Sequence, residues 1–138
     1  MPDVVVYARV LRCGPAEPEA CPDLRGQLRA CRERIASIDA PGTGAAVLTD
    51  ESGEEDAGVR PGIIDLERRI LARTVAAVVV ATLPALASDI DELSRLWALF
   101  KARDIRFIAV REGIDSGESS GRSILDALTR PVVLRLSA

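Results

Sequence analysis

The sequence contains no histidine, and this absence removes the commonest general base from any reaction that the protein carries out. It also excludes Ser-His and Cys-His nucleophilic arrangements. The three cysteines, Cys13, Cys21 and Cys31, are separated by eight and ten residues, which matches no standard zinc pattern. We therefore expect free thiols, no metal site and no cofactor. Cys31 falls on the apolar stripe of a helix, so we expect it in the core.

The sequence also lacks a long apolar run and an excess of basic charge. No apolar stretch approaches the roughly 20 residues that a membrane-spanning helix needs. The first residues, MPDVVVY, lack the basic segment of a secretory signal, so we expect a cytoplasmic protein without membrane contacts. The net charge of −3 argues against a free-standing nucleic-acid binder. We therefore expect DNA binding by this chain alone to be weak or absent.

Lysine is nearly absent as well. Lys101 is the single lysine, and the other 17 of the 18 basic residues are arginine. Arginine is favoured for phosphate recognition. The same bias also arises in a genome rich in G and C, whose codons favour arginine and alanine. Both explanations stay open at this point.

The sequence does contain a regular alternation of strand patterns and helical stripes. Strand patterns occupy 3–10, 45–49, 75–81, 105–110 and 131–136. The last should lie at a sheet edge, because a proline begins it. Helical patterns begin at the caps Asp23 and Ser88 and at Gly62, and a short one covers 120–129. This alternation predicts a three-layer α/β fold, with a mainly parallel central sheet of about five strands and helices on both faces. We expect a single domain over residues 1–138.

Two polar stretches interrupt this alternation. Residues 49–62 are acidic and contain glycine, so we expect a surface loop there. A second stretch follows the fourth strand and contains Gly113, Gly117 and Gly121. The spacing of these glycines matches no phosphate-binding loop, and we interpret the stretch as a flexible loop.

Several segments, in this order, resemble one protein family. They are YARV at 7–10, a helix containing QLRACRERI, an acidic loop ending in RPG at 60–62, a buried VVVA strand, and EGID followed by Gly121-Arg122. Together they resemble the catalytic domain of the serine recombinases, the resolvase and invertase group, over residues 3–128. The resemblance implies a resolvase catalytic-domain fold. It also implies a family chemistry in which a serine hydroxyl attacks a DNA phosphodiester.

The resemblance identifies catalytic positions that are replaced in this chain. In the family the serine directly follows the YxRV sequence, and the corresponding residue here is Leu11, which has no nucleophilic atom. A second family motif, Asp-Arg-Leu-x-Arg, supplies charge that stabilises the transition state. Its aspartate and two arginines correspond to Leu83, Pro84 and Ala87. The resemblance therefore implies a catalytically inactive domain.

Four polar residues remain at positions that match the family, namely Tyr7, Arg9, Asp50 and Arg60. Tyr7 and Arg9 share one side of the first strand, and Leu11 is next on that side. We expect the four residues to form the remnant of an anion pocket, with Arg9 and Arg60 as an anion-binding pair. The alternative is that Arg9 pairs with a nearby carboxylate and that Arg60 is a solvated loop residue.

Neighbouring residues compete for some of these roles. Other acidic residues of the same stretch could take the place assigned to Asp50 in the anion pocket, namely Glu51, Glu54, Glu55 and Asp56. Cys13 and Ser88 are candidates for a displaced nucleophile. We interpret Cys13 as a linker thiol and Ser88 as a helix cap.

These features predict a catalytically inactive serine-recombinase-like domain, connected with DNA recombination, that acts as a protein-interaction or regulatory module. Its partner is another protein or a second copy in a dimer, bound through the edge strand 131–136 or the arginine-rich face of 25–34. One alternative is a site-specific strand-exchange component that works with an intact partner subunit. Another is a non-cleaving DNA- or nucleotide-binding domain. Recombinases continue into a DNA-binding region, and we expect that region to be missing, because eight residues follow Arg130.

Overall fold

The centre of the molecule is a mainly parallel sheet. The computed structural model describes residues 3–11, 22–38, 45–52 and 60–130. The strands in these ranges are β1 (Asp3–Leu11), β2 (Ala45–Ser52), β3 (Val75–Val80), β4 (Arg106–Ala109) and β5 (Ile114–Asp115). They lie in the order β2-β1-β3-β4-β5, and all neighbours are parallel except β4 and β5, which are antiparallel. The predicted sheet of about five mainly parallel strands is confirmed.

The fifth strand of this sheet is not the one that was predicted. The predicted strand 131–136 lies outside the described residues, and β5 forms where we expected a flexible loop. Gly113 makes the turn into β5 with a φ of +69°, a left-handed conformation that glycine adopts without strain. Ile114 and Asp115 are both buried, so this hairpin packs against the rest of the molecule. The flexible-loop interpretation is therefore wrong, and two residues are too few to give a readable strand pattern.

Five helices accompany the strands within the described ranges. They are α1 (Pro22–Ser37), α2 (Pro61–Leu71), α3 (Leu83–Leu86), α4 (Ile90–Ala102) and α5 (Ser119–Leu128). No sequence pattern predicted α3, which is a single turn. Asp23 lies inside the first turn of α1 rather than before it. Asp89, and not Ser88, is the N-cap of α4, because its carboxylate accepts from the backbone N–H of Glu92 at 2.8 Å.

The predicted acidic loop is shorter than residues 49–62. β2 continues through Ser52, which pairs with Leu11 at the end of β1. At the other end of the stretch, Pro61 already belongs to α2. Residues 53–59, which lie between these elements, are outside the described ranges. The parallel pairing with β1 explains the extension. Backbone groups make the hydrogen bonds between the two strands, so polar side chains are tolerated at this edge of the sheet.

Helices cover both faces of the sheet. On one face, Val5 and Tyr7 of β1 share a core cluster with α2, α4 and α5, whose buried members include Leu66, Ile70, Leu96, Trp97, Phe100 and Leu125. On the other face, Val4 and Val6 pack with Cys31 of α1, which is fully buried. The three-layer arrangement and the core position of Cys31 are confirmed.

A membrane-spanning helix and a metal-binding group of side chains are both absent from the part of the chain that the structure describes. No helix there has the length and apolar character needed to cross a lipid bilayer. The same residues contain no group of three cysteine, aspartate or glutamate side chains placed to hold a metal ion.

Candidate functional site

The candidate site lies at the carboxyl end of β1, the edge at which open α/β sheets place their ligand sites. Tyr7 is fully buried there, and its hydroxyl donates to Asp50 Oδ2 on β2 at 2.6 Å. Burial and the hydrogen bond to Asp50 raise the pKa of Tyr7 far above its ordinary value. The phenol therefore stays protonated and serves as a hydrogen-bond donor.

Asp50 connects β2 to the start of α2. Its Oδ1 accepts from the backbone N–H of Gly62 at 2.6 Å, and its Oδ2 accepts from Ile63 at 3.1 Å. The helix has no side-chain cap of its own, because its N-cap residue is Arg60. Asp50 therefore satisfies the first N–H groups of α2 from a neighbouring strand. The approach is close, since a Cβ on Gly62 would lie 2.7 Å from the carbonyl oxygen of Thr49.

The burial of Asp50 separates it from the neighbouring acid on β2. Asp50 is 4% exposed, whereas Glu51 is exposed. The other acidic candidates, Glu54, Glu55 and Asp56, lie outside the described residues. Tyr7 and Asp50 are 43 residues apart in sequence, so no local pattern indicated their contact.

Arg60 is held by acceptors of the protein itself. Its Nη2 donates to the Tyr7 hydroxyl at 2.9 Å and to the Leu86 carbonyl oxygen at 2.6 Å, and its Nη1 forms an ion pair with Glu92. The guanidinium also lies 5.5 Å from the centre of the Tyr7 ring. The Arg60 side chain is 11% exposed, so the alternative that it is a solvated loop residue is wrong.

Arg9 lies beside this cluster and nearer to solvent. It is half-buried, and its Nη1 donates to the hydroxyl of Ser88. Its carbonyl oxygen accepts from Gln27 Nε2 of α1 at 2.9 Å. A cleft of ≈ 460 Å³ brings Arg9 together with Arg60, and its remaining lining residues are Ile63, Ile64, Glu67, Ser88, Asp89, Glu92 and Arg95. The two arginines of the expected anion pair therefore share one cleft.

Ser88 has a different environment from the one predicted. Because Asp89 caps α4, the Ser88 hydroxyl is not used as the cap, and it contacts Arg9 instead. The backbone N–H of Ser88 donates to Glu92 Oε2 at 3.4 Å. A hydroxyl side chain therefore lies against an arginine in the candidate cleft.

The segment in which the resemblance places the second family motif forms α3. Its N-cap is Thr82, whose side chain accepts from the Ala85 N–H, and the Leu83 N–H donates to Glu112 Oε2 at 3.0 Å. Ala87 is 9% exposed and Pro84 is exposed. The side chains at 83, 84 and 87 thus present no charge, and the segment contributes backbone carbonyls to Arg60.

Leu11 and Cys13 follow the YARV segment. The backbone of Leu11 forms the last residue of β1, and its side chain is outside the described part of the structure. Cys13 lies outside the described residues altogether. Leu11 directly follows YARV and lies at the carboxyl end of β1.

A second buried carboxylate, Asp115 of β5, was not singled out from the sequence. It is 3% exposed and accepts from Arg106 through both oxygens, at 2.8 and 2.6 Å. Arg34 of α1 donates at 3.1 Å, and the Gly117 N–H donates at 2.8 Å. The hydrogen bonds from Arg106 chiefly hold the pKa of Asp115 below its ordinary value. The EGID segment was the one available signal, and Asp115 is its last residue.

The three-layer α/β fold is that of a resolvase-type catalytic domain. The family described as "Resolvase, N terminal domain" matches residues 4–130, so the chain belongs to the resolvase family of serine recombinases. No curated protein matches it in sequence.

Two solved structures illustrate the shared fold. The N-terminal catalytic domain of TP901-1 integrase has a TM-score of 0.68 and 21% identity, covering 98% of this chain and 95% of that one. A resolvase family site-specific recombinase from Streptococcus pneumoniae has a TM-score of 0.64 and 17% identity, covering 99% of this chain and 90% of that one.

Proposed function

We propose that this chain is a catalytically inactive serine-recombinase-like domain that acts by binding proteins, in connection with DNA recombination. The hydrocarbon side chain of Leu11 offers no oxygen or sulfur atom for attack on phosphorus. Leu83, Pro84 and Ala87 supply no charge to a phosphoryl transition state. Removing even one electrostatic partner from an active site costs ~10²–10³ in rate, and this chain lacks three together with the nucleophile.

The main support for this proposal is that groups of the protein itself already bind the Arg60 guanidinium. Its guanidinium is bound by Tyr7, by the Leu86 carbonyl and by Glu92, and its side chain is 11% exposed. A phosphate that approached Arg60 would have to displace Glu92 and leave that carboxylate without its partner. We infer that Tyr7, Asp50 and Arg60 are the remnant of a phosphate pocket and now stabilise the fold.

The charge balance of the cleft supports the same conclusion. Glu92 neutralises Arg60, and Glu67 forms an ion pair with Arg95. Arg60 and Arg95 therefore attract a polyanion weakly, because each already has a neighbouring anion. This agrees with weak or absent DNA binding by the domain alone.

A second candidate function is favoured by one contact, the hydrogen bond from Arg9 to the Ser88 hydroxyl. In this alternative Ser88 is a displaced nucleophile and the protein cleaves DNA strands. A serine hydroxyl needs a base that accepts its proton. Glu92 is close to Ser88, but its carboxylate is already bound by Arg60. We therefore favour the inactive domain.

Incubation of the protein with supercoiled plasmid tests the choice between these functions. We expect neither nicked circles nor a covalent protein–DNA adduct, measured by agarose gel and by detergent trapping of labelled DNA. The Leu11→Ser variant should stay inactive as well, because a hydroxyl alone does not replace the charges missing at 83, 84 and 87.

An active serine recombinase with its own recombination site is the positive control for trapping. The proposal fails if this chain forms an adduct that Ser88→Ala abolishes and Ser123→Ala preserves. Ser123 is the matched control because it is an exposed serine on α5, away from the cleft.

Self-association is one form of protein binding that the described surface favours. Ile124 and Leu128 lie one helical turn apart on α5 and are 45% and 41% exposed. We expect light scattering to give a mass above that of one chain, and Ile124→Ser with Leu128→Ser to shift it toward the monomer. The matched control, Ile64→Ser with Leu71→Ser on α2, should leave the mass unchanged. A monomeric wild-type protein at the highest soluble concentration would contradict this prediction.

A further inference from the structure

One flank of α1 carries three arginines that the candidate site does not use. Arg25, Arg29 and Arg32 are exposed, and none forms an ion pair or hydrogen bond with a described residue. Their spacing of four and three residues places them on one stripe of the helix. We call these three residues the arginine stripe.

The arginine stripe faces the β2 side of the sheet. Arg34 of α1 reaches in the opposite direction, because it donates to Asp115 of β5 at the other end of the strand order. At about 100° per residue, the stripe lies about 140–180° around the helix axis from Arg34. The stripe therefore lies on the flank directed toward β2.

The helix runs antiparallel to the strands, so the stripe follows β2 along its length. Leu24, at the start of α1, packs with Ala8 and Val10 in the later part of β1. Ile35, near the end of α1, packs in the cluster that contains Val4. The stripe rises about 10 Å along the axis, which is comparable to three or four residues of a strand.

The surface of β2 beneath the stripe is incompletely covered. Val47 pairs with Val6 and therefore points to the α1 side of the sheet, yet it is 39% exposed. Thr49, two residues further on the same side, is also exposed. β2 is the edge strand, and β1 is its one hydrogen-bonded neighbour among the described strands. An edge of eight residues (Ala45–Ser52) thus lies beside three arginines.

We propose that the β2 edge and the arginine stripe form a docking site for an extended acidic segment of a partner protein. The segment adds as a strand to β2, and its alternate acidic side chains reach the arginine stripe. Side chains on one face of a strand repeat every two residues, about 6.6 Å, so two or three carboxylates span the stripe. Bidentate pairing of arginine with carboxylate supplies the specificity. This inference deepens the proposed interaction role and rests on it.

Two other occupants fit less well. The phosphates of a nucleic acid would pair with the arginines, but the backbone groups at the β2 edge would stay without hydrogen bonds. The net charge of −3 also disfavours nucleic-acid binding. A second copy would have to offer its own acidic stretch, residues 49–62, to the same edge, but that stretch begins within its own β2. Both are distinguishable outcomes of the experiment below.

The probe is a fluorescein-labelled peptide of alternating glutamate and valine, Glu-Val-Glu-Val-Glu-Val, and its binding is measured by anisotropy. The triple variant Arg25→Gln, Arg29→Gln, Arg32→Gln should weaken binding at least tenfold. The matched triple variant Arg68→Gln, Arg73→Gln, Arg103→Gln removes the same charge from exposed positions elsewhere and should change affinity less than twofold. All six side chains are exposed, so both variants should fold, which circular dichroism checks.

Two modified peptides test the strand pairing separately from the charge. N-methylation of alternate residues keeps the charge but removes backbone donors, and it should weaken binding at least tenfold. Replacing each glutamate by lysine should abolish binding. Hydrogen exchange should show that the bound peptide protects backbone amides within Ala45–Ser52, which adsorption to the arginines alone would not do.

The proposal is overturned if the N-methylated peptide binds as well as its parent, or if the arginine variant binds as well as the wild type. It is also overturned if duplex DNA binds through the same arginines without protecting β2. Protection of β2 that rises with protein concentration in the absence of peptide would assign the edge to a second copy instead. None of these outcomes depends on the plasmid assay. A failure of the docking proposal can therefore be distinguished from a failure of the proposed inactivity, which the plasmid assay would detect as DNA cleavage.

Discussion

Replacing Asp50 by alanine is expected to lower the free energy of unfolding by about 3–5 kcal/mol. The carboxylate accepts hydrogen bonds from Tyr7, Gly62 and Ile63 and lies 4.0 Å from Arg60 Nε. Its removal leaves a buried hydroxyl and two helix N–H groups without an acceptor and takes a negative charge away from a nearly buried guanidinium. Urea unfolding followed by Trp97 fluorescence measures the change.

A matched carboxylate separates this effect from a general loss of charge. Asp65 of α2 forms an exposed pair with Arg69, in which the side chains are 46% and 42% exposed. Asp65→Ala should change stability by less than about 0.5 kcal/mol. If Asp50→Ala does not fold, Tyr7→Phe tests the same cluster with an expected loss of about 1–3 kcal/mol. Equal stabilities for Asp50→Ala and Asp65→Ala would show that the cluster does not hold the fold together.

Replacing Gly121 by alanine is expected to cost about 3 kcal/mol or more. A Cβ at this position of α5 would lie 2.0 Å from the carbonyl oxygen of Asp115 and 2.5 Å from its carbonyl carbon. These are backbone atoms, so no side-chain rotation relieves the overlap. Asp115 is itself fixed by Arg106, and α5 would have to move away from the hairpin. Thermal unfolding by circular dichroism measures the loss.

Gly26 provides a control of opposite sign. It lies within α1, and a Cβ there would meet nothing within 4 Å. Gly26→Ala should therefore stabilise the protein by about 0.5–1 kcal/mol, because alanine is the better helix former. If both glycine variants changed stability in the same direction and by similar amounts, the close packing of α5 on β5 would not be the cause.

The large elements were predictable because their signals are local. The continuous apolar run of β3 and the helical stripe of α4 each fix an element without knowledge of the rest of the chain. The start of α4 was not predictable in the same way, because Ser88 and Asp89 are both good caps. The contact of Ser88 with Arg9, 79 residues away, depends on the tertiary fold.

The candidate site was predictable in its members but not in its bonding. The resemblance pointed to Tyr7, Asp50 and Arg60 one by one. The resemblance did not indicate that Glu92 would neutralise Arg60. Arg60 directly precedes α2 and Glu92 lies in the first turn of α4, and these two helix ends meet only in the folded protein. The contact between Arg34 and Asp115 was missed for the same reason, since the two residues are 81 positions apart in the sequence.

The position of Arg60 has a consequence for the motions of this edge of the molecule. One guanidinium joins β1 through Tyr7, α3 through Leu86 and α4 through Glu92, and it precedes α2 directly. None of these segments can separate from the others without giving up the same set of bonds. They therefore open together, as one cooperative unit, and amide protons across the whole edge should exchange at a common rate.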